Sequence, residues 1–227
     1  MCGRYLISAD STAIAEHFGL LAAPEHDPRW NVAPGQEVPI VRSGRNGERT
    51  CTAVRWGLVP YWSKDPTIGQ RMINARSETA AEKPSFRTPL KKRRCLLPAD
   101  GFYEWTAAEG GKQPWCIRAA GNGIFALAGL WERWTKGDTP LETCTILTTS
   151  PNQTLKPIHD RMPVIVQPAD YNLWLDPLNE DVDSLQPVLQ PAADTLLRAF
   201  PVSRHVNRPV NDDPRCCEPT TTELSDE

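Results

Sequence analysis

Thr143-Cys144-Thr145-Ile146-Leu147-Thr148, lying between Pro140 and Pro151-Asn152, is a short run rich in branched residues and closed off by turn formers. That is the sequence pattern of a β-strand. The same pattern recurs at 38–41, 52–58, 94–97, 115–118, 124–130 and 163–166, each run bounded by Pro, Gly, Asn or Asp. Helices are fewer. Asp10 or Ser11 can cap a short one that puts Ile14, Ala15 and Phe18 on one side, with Gly19 placed to stop it, and the stretches 169–175 and 192–200 carry helical apolar spacing. Many short strands, few helices and no βαβ rhythm predict a single α+β domain with a curved, barrel-like, mostly antiparallel β core and a few peripheral helices. The 22 prolines fall largely between the strand candidates, as turn punctuation.

A chain of 227 residues, 40% hydrophobic, can bury one substantial core. No segment reaches the roughly 18 apolar residues of a membrane span, and the amino terminus lacks a signal-peptide layout, so a cytoplasmic protein is expected. Seven cysteines without CxxC spacing argue against a disulfide framework and a zinc ribbon. His159 or His205 beside Cys216-Cys217 is a poor tetrahedral ligand set, so no metal is expected. The net charge of −3 conceals an asymmetry: Asp212, Asp213, Glu218, Glu223, Asp226 and Glu227 stand against Arg215 alone at the carboxyl end. The expected division is a domain over 1–211 and an acidic, flexible tail over 212–227. The remaining body is slightly basic, with Arg71, Arg76, Lys83, Arg87, Lys91, Lys92, Arg93 and Arg94 crowding one stretch. Such a run serves phosphate contact or simply a solvated surface.

Four places carry chemistry. A small residue after Met1 allows the initiator to be removed, which would leave Cys2 with a free α-amine (ordinary pKa about 7.7–8.0) and a thiol (about 8.5). Such a 1,2-aminothiol forms a Schiff base with an aldehyde and then closes a thiazolidine intramolecularly; the competing reading is a small apolar residue near a terminus. In MINARSET, extended backbone puts Asn74 and Arg76 on one face, able to orient a sugar hydroxyl and a phosphate together, though a turn Asn and a surface Arg fit equally well. In ADGFYEW, alternation sets Phe102 and Glu104 on one face and Tyr103 and Trp105 on the other. A Glu104 desolvated among aromatics would serve as a general acid, whereas one on an edge strand would face water. In IHDRMP, His159 at a strand entry could shuttle a proton, with Arg161 on the same side; a capping histidine is the alternative. His17 and His26 read as structural or surface residues, and His205 is less easily dismissed.

Taken in order, MCGR, NVAPG (31–35), WGLVPYW (56–62), INARSE, ADGFYEW, HDRMP and the late PVS–VN pattern resemble the SOS-response-associated peptidase (SRAP) family, from Cys2 to about Asn207. The resemblance implies a compact α+β fold around a barrel-like core and a sensor and shield of abasic sites in single-stranded DNA. It implies Cys2 as crosslinking nucleophile, Asn74 as the residue positioning it and the sugar, Glu104 as acid–base carboxylate that also assists removal of Met1, and His159 as stabiliser of the opened sugar. Arg4, Arg76 and Arg161, with Arg87 less directly, would contact phosphates, and Trp62 would stack on a flanking base. The implied partner is single-stranded DNA containing abasic sites, bound by a monomeric chain without metal or organic cofactor. Two rivals remain. Met-Cys-Gly also opens glutamine amidotransferases, in which a terminal cysteine attacks an amide; that reading leaves INARSE, ADGFYEW and HDRMP unexplained. A non-covalent single-strand binder using Trp62, Trp105 and the basic run is the other.

Overall fold

A computed structural model describes residues 2–220. Met1 and residues 221–227, which include Glu223, Asp226 and Glu227 of the expected tail, lie outside the described residues. Strands in the first half are β1 (Tyr5–Ile7), β2 (Arg29–Val32), β3 (Glu37–Ser43), β4 (Arg49–Trp56), β5 (Asn74–Arg76), β6 (Arg94–Ala99) and β7 (Gly101–Ala108). There follow β8 (Gly111–Ala119), β9 (Phe125–Trp134), β10 (Leu141–Thr149), β11 (Met162–Pro163), β12 (Ile165–Val166) and β13 (Leu197–Pro201). The helices are short: α1 (Ser11–Phe18), α2 (Ser77–Ala80), α3 (Arg87–Lys92) and α4 (Tyr171–Leu175). Among the described residues no helix is long and apolar enough to cross a membrane.

The expected α+β barrel is present. β10, β4, β3, β6 and β9 form a closed five-stranded barrel, because β9 also pairs with β10. The β10–β4 pair is parallel and the other barrel pairs are antiparallel, which makes the barrel mixed. β5 adds to β10 in parallel, Asn74 opposite Ile146. A second, antiparallel sheet runs β13-β8-β7-β1-β2. The chain passes from barrel to second sheet at Ala99-Asp100-Gly101. There the Asp100 carboxylate accepts from the Ser8 N–H and hydroxyl and from Ala9 N–H, tying β1 to the crossing. Gly101 is required at that crossing, since a Cβ would stand 2.7 Å from the Ile117 carbonyl oxygen.

Helix α1 follows its sequence signals: Asp10 accepts from Ala13 N–H at 2.8 Å, Ile14 and Phe18 are buried, and Gly19 ends the helix at φ 63°. The stretch 192–200 corrects its expectation. After one 3-10 turn (Asp194–Leu196) it becomes β13, registered Ala199 to Ile117 along the open edge of β8. Nine residues of helical spacing are a weak local preference, and an unpaired sheet edge offers a full set of backbone partners. The basic run divides too. Arg94 is buried and donates to the carbonyl oxygens of Leu90, Lys91, Trp174, Asp176 and Asn179, closing the ends of α3 and α4. Arg94→Met leaves those carbonyls without donors and is expected to cost about 3 kcal/mol or more of stability, measured by urea unfolding.

The carboxyl end packs further than its charge suggested. Asp212 accepts from Trp30 and Asn31 N–H and pairs with Arg29. Asp213 caps a 3-10 turn (Pro214–Cys217), and Cys216 is buried. The segment 212–220 therefore lies on β2 and the barrel's neighbour sheet, where main-chain donors recruit these acids.

Candidate active site

The amino terminus meets the barrel where the two sheets adjoin. β1 pairs with β7, Tyr5 opposite Phe102, and Tyr103 N–H donates to the Arg4 carbonyl at 3.0 Å, so Cys2 and Glu104 emerge side by side. β5, carried on β10, brings Asn74 to the same place: its Nδ2 donates to the Cys2 carbonyl at 2.8 Å. The loop leaving β10 returns with His159, whose Nε2 stands 3.8 Å from Glu104 Oε2. Four motifs separated by up to 157 positions thus converge, because β10 carries two of the segments and β7, paired with β1, carries the third to the first residues of the chain.

The alternation read in ADGFYEW is present. Phe102 joins the main core together with Cys2, whereas Tyr103 joins a smaller cluster with Leu6, Val202 and Val206, against which Trp105 packs. β7 is an inner strand with both faces covered. Glu104 is accordingly 2% exposed. Burial pushes its carboxyl up to about 7, so at neutral pH the group holds and releases a proton with similar ease. Cys2 is fully buried, and its thiol is pushed well up by burial and by the neighbouring Glu104. The imidazole of His159 is held down, chiefly by burial, with Asp160 acting the other way.

A cleft of about 390 Å³ opens on this group and is lined by Arg4, Glu104, Trp105, Lys112, His159 and Asn207. Arg4 is tied in place, donating to Asn31 Oδ1 at 2.6 Å and to the Val206 carbonyl at 2.9 Å beneath the Trp105 ring. Asn31, fully buried, also donates to the Val206, Arg208 and Asn211 carbonyls, which holds the carboxyl-terminal strap against the cleft. Trp105 Nε1 donates to Asn207 Oδ1 at 2.8 Å on that strap. The remaining expected contacts lie outside the cleft lining. Arg76 ends β5 and Arg87 begins α3, both exposed, and Trp62 is 42% exposed in the loop after β4. Arg161 makes a two-point contact with Glu78, at 2.7 and 2.8 Å, and donates to the Thr148 carbonyl.

Lys112, Asn207, Asn31 and Glu78 were missed as site residues. Lys112 had a signal: Gly110-Gly111 reads as a hairpin turn, and counting back from it sets Lys112 opposite Ala107 and Trp115 opposite Glu104, as the register has it. His17 bonds the Tyr171 hydroxyl and His26 its neighbour's carbonyl. His205, Asp213 and Cys216 offer ligand atoms within 4.8 Å of one another. That group is joined by its own bonds, Asp213 to His205 at 3.0 Å and to Arg215 at 2.8 Å, with Asn211 on the other ring nitrogen.

The sequence profile described as SOS response associated peptidase (SRAP) matches residues 1–209. The abasic site processing protein YoqW of Bacillus subtilis is 45% identical over 224 residues, covering 96% of this chain and 99% of its own. The abasic site processing protein HMCES of Gallus gallus is 32% identical over 263 residues, covering 96% and 78%. A crystal structure of a Bacteroides thetaiotaomicron protein superposes with a TM-score of 0.85 at 27% identity, covering 96% of this chain and all of that one.

Proposed function

The chain belongs to the SOS response associated peptidase family, and from that premise we propose that it processes abasic sites in single-stranded DNA by linking them covalently to Cys2. What carries the reading is the convergence of Asn74 and the Glu104–His159 pair near buried Cys2, with Glu104 and His159 lining an open cleft.

In this mechanism Met1 is removed, with Glu104 assisting, and the Cys2 amine attacks the open-chain aldehyde of the abasic deoxyribose. The carbinolamine loses water to give an iminium ion. The Cys2 sulfur then bonds the same carbon, the C=N electron pair returns to nitrogen, and the thiol proton passes to Glu104. The product is a thiazolidine; one water leaves, and the proton taken up when the carbinolamine became an iminium is returned by the thiol. Sulfur closure consumes the iminium before it can drive β-elimination, so the strand stays intact. Asn74 holds the Cys2 carbonyl and thereby aims the amine. The high thiol pKa fits this order of events, since a buried neutral thiol waits until an iminium carbon stands beside it. Arg4, Lys112 and Arg161 supply positive charge for phosphates, with Arg76 and Arg87 on the flanks and Trp62 as a stacking surface, a sequence-tolerant combination.

An oligonucleotide with one abasic site, incubated with the protein and run on a denaturing gel, is expected to give a slower band. The band should persist at high salt once formed. Salt-sensitive retention that vanishes on denaturation would favour the non-covalent binder, and release of ammonia from glutamine without DNA would favour an amidohydrolase.

A further inference from the structure

Two partners compete for one nitrogen of His159. The Arg161 backbone N–H points at Nδ1 from 3.0 Å, while Asp160 Oδ1 lies 2.9 Å from the same atom. A single ring nitrogen cannot satisfy both at once. When Nδ1 bears no proton, it accepts from Arg161 and the ring's proton sits on Nε2, toward Glu104. When Nδ1 is protonated, it donates to Asp160 and Nε2 presents a lone pair to the site. Each tautomer has its own partner already in place.

We propose that Asp160 is a positioning residue that makes His159 a two-state proton shuttle between the Cys2 amine and solvent. Glu104 is sealed inside, whereas the Asp160 side chain is 88% exposed. His159 stands between the two, 3.8 Å from Glu104 and 2.9 Å from Asp160. Among the described residues the charged groups facing it are Glu104 from the interior, Arg4 and Lys112 across the cleft, and Asp160 and Arg161 on its own loop. The proton balance is as follows. The terminal ammonium gives a proton to Nε2, Nδ1–H passes its proton to Asp160, and Asp160 gives it to water, which frees the amine for attack. Nδ1 then accepts the Arg161 N–H; as Nε2–H protonates the hydroxyl leaving the carbinolamine, Asp160 returns a proton to Nδ1 in the same step, so the ring stays neutral. That return resets the ring.

This inference rests on the covalent reading above, and the test separates the two. Rate constants for band formation are measured from pH 5 to 9 for the wild type, Asp160→Ala and Asp160→Glu. Binding to an oligonucleotide carrying the unreactive tetrahydrofuran analogue is measured alongside. Asp160→Ala is expected to be about tenfold slower. Its rising acid limb should move to lower pH, because the imidazolium has lost its carboxylate, and analogue binding should stay within about twofold. Asp160→Glu should restore most of the rate. An unchanged rate and limb in Asp160→Ala overturns the shuttle, as does a slower rate matched by an equal loss of analogue binding with the limb unmoved. Absence of any wild-type band would instead sink the covalent reading itself.

Discussion

Cys2→Ser is expected to lose the denaturation-resistant band altogether while keeping the terminal amine, the fold and affinity for the unreactive analogue. Removal of Met1 leaves either residue with the same nitrogen, so an imine still forms with the sugar aldehyde. What disappears is the second bond. A hydroxyl does not ionise near neutrality, and the five-membered closure that profits from effective molarities of about 10⁵ M or more no longer has a competent nucleophile. The imine then reverts, or proceeds to strand cleavage. Borohydride added during the reaction should restore a band in Cys2→Ser by reducing that imine, and an oligonucleotide incubated with Cys2→Ser alone should show more cleaved strand than with the wild type. Among the described residues the Cys2 side chain makes one weak polar contact, its thiol 4.0 Å from the Arg4 carbonyl, and the Asn74 bond goes to its backbone, so the exchange removes little that supports the fold. A full-strength band without reductant would redirect attention to an amine outside the terminus, of which Lys112 stands in the cleft.

Much of this arrangement was legible in the chain itself, unevenly and for physical reasons. Strands such as β9 and β10 were readable because runs of apolar and branched residues between turn formers have few alternatives. β1, β2 and β5 were not among the expected strands: at three or four residues they carry no period and exist only because a longer neighbour pairs with them. β13 went the other way, its helical spacing overridden by the open edge of β8. The face alternation at Phe102-Tyr103-Glu104-Trp105 came from strand geometry alone, but whether Glu104 was sealed or wet depended on β7 lying between β1 and β8, which no local pattern encodes. The motif resemblance named Cys2, Asn74, Glu104 and His159 together; their separation in sequence left the contacts themselves to be supplied by pairing on β10 and between β1 and β7. Arg161 illustrates the remaining gap. The resemblance implies a phosphate contact there, yet its guanidinium is engaged by Glu78, so any phosphate must share or displace a carboxylate.

Glu104→Gln is expected to raise stability and lower activity together, which ties the site's chemistry to its burial. A carboxyl that ordinarily titrates near 4.5 and is pushed to about 7 in the fold binds more protons folded than unfolded across that window. Stability therefore falls as pH rises from about 4.5 to 7, by about 1.4 kcal/mol per unit, or on the order of 3 kcal/mol in all. Glutamine mimics the protonated acid at every pH and carries no such penalty. The wild type should thus lose stability between pH 5 and 8 while the variant holds it, the melting temperatures diverging by roughly 6–10 °C at pH 8 for a domain of this size. His159, held below its ordinary value by burial, acts in the opposite sense near pH 6.5, but it is common to both proteins and largely cancels in the comparison. Crosslinking should slow by about 10²–10⁴-fold in the variant, since an amide cannot accept the thiol proton. Parallel melting curves across this pH range would show that Glu104 ionises at no cost, and an unslowed reaction would show that it moves no proton; either result removes the reason for a carboxylate to be buried beside the first residues of the chain.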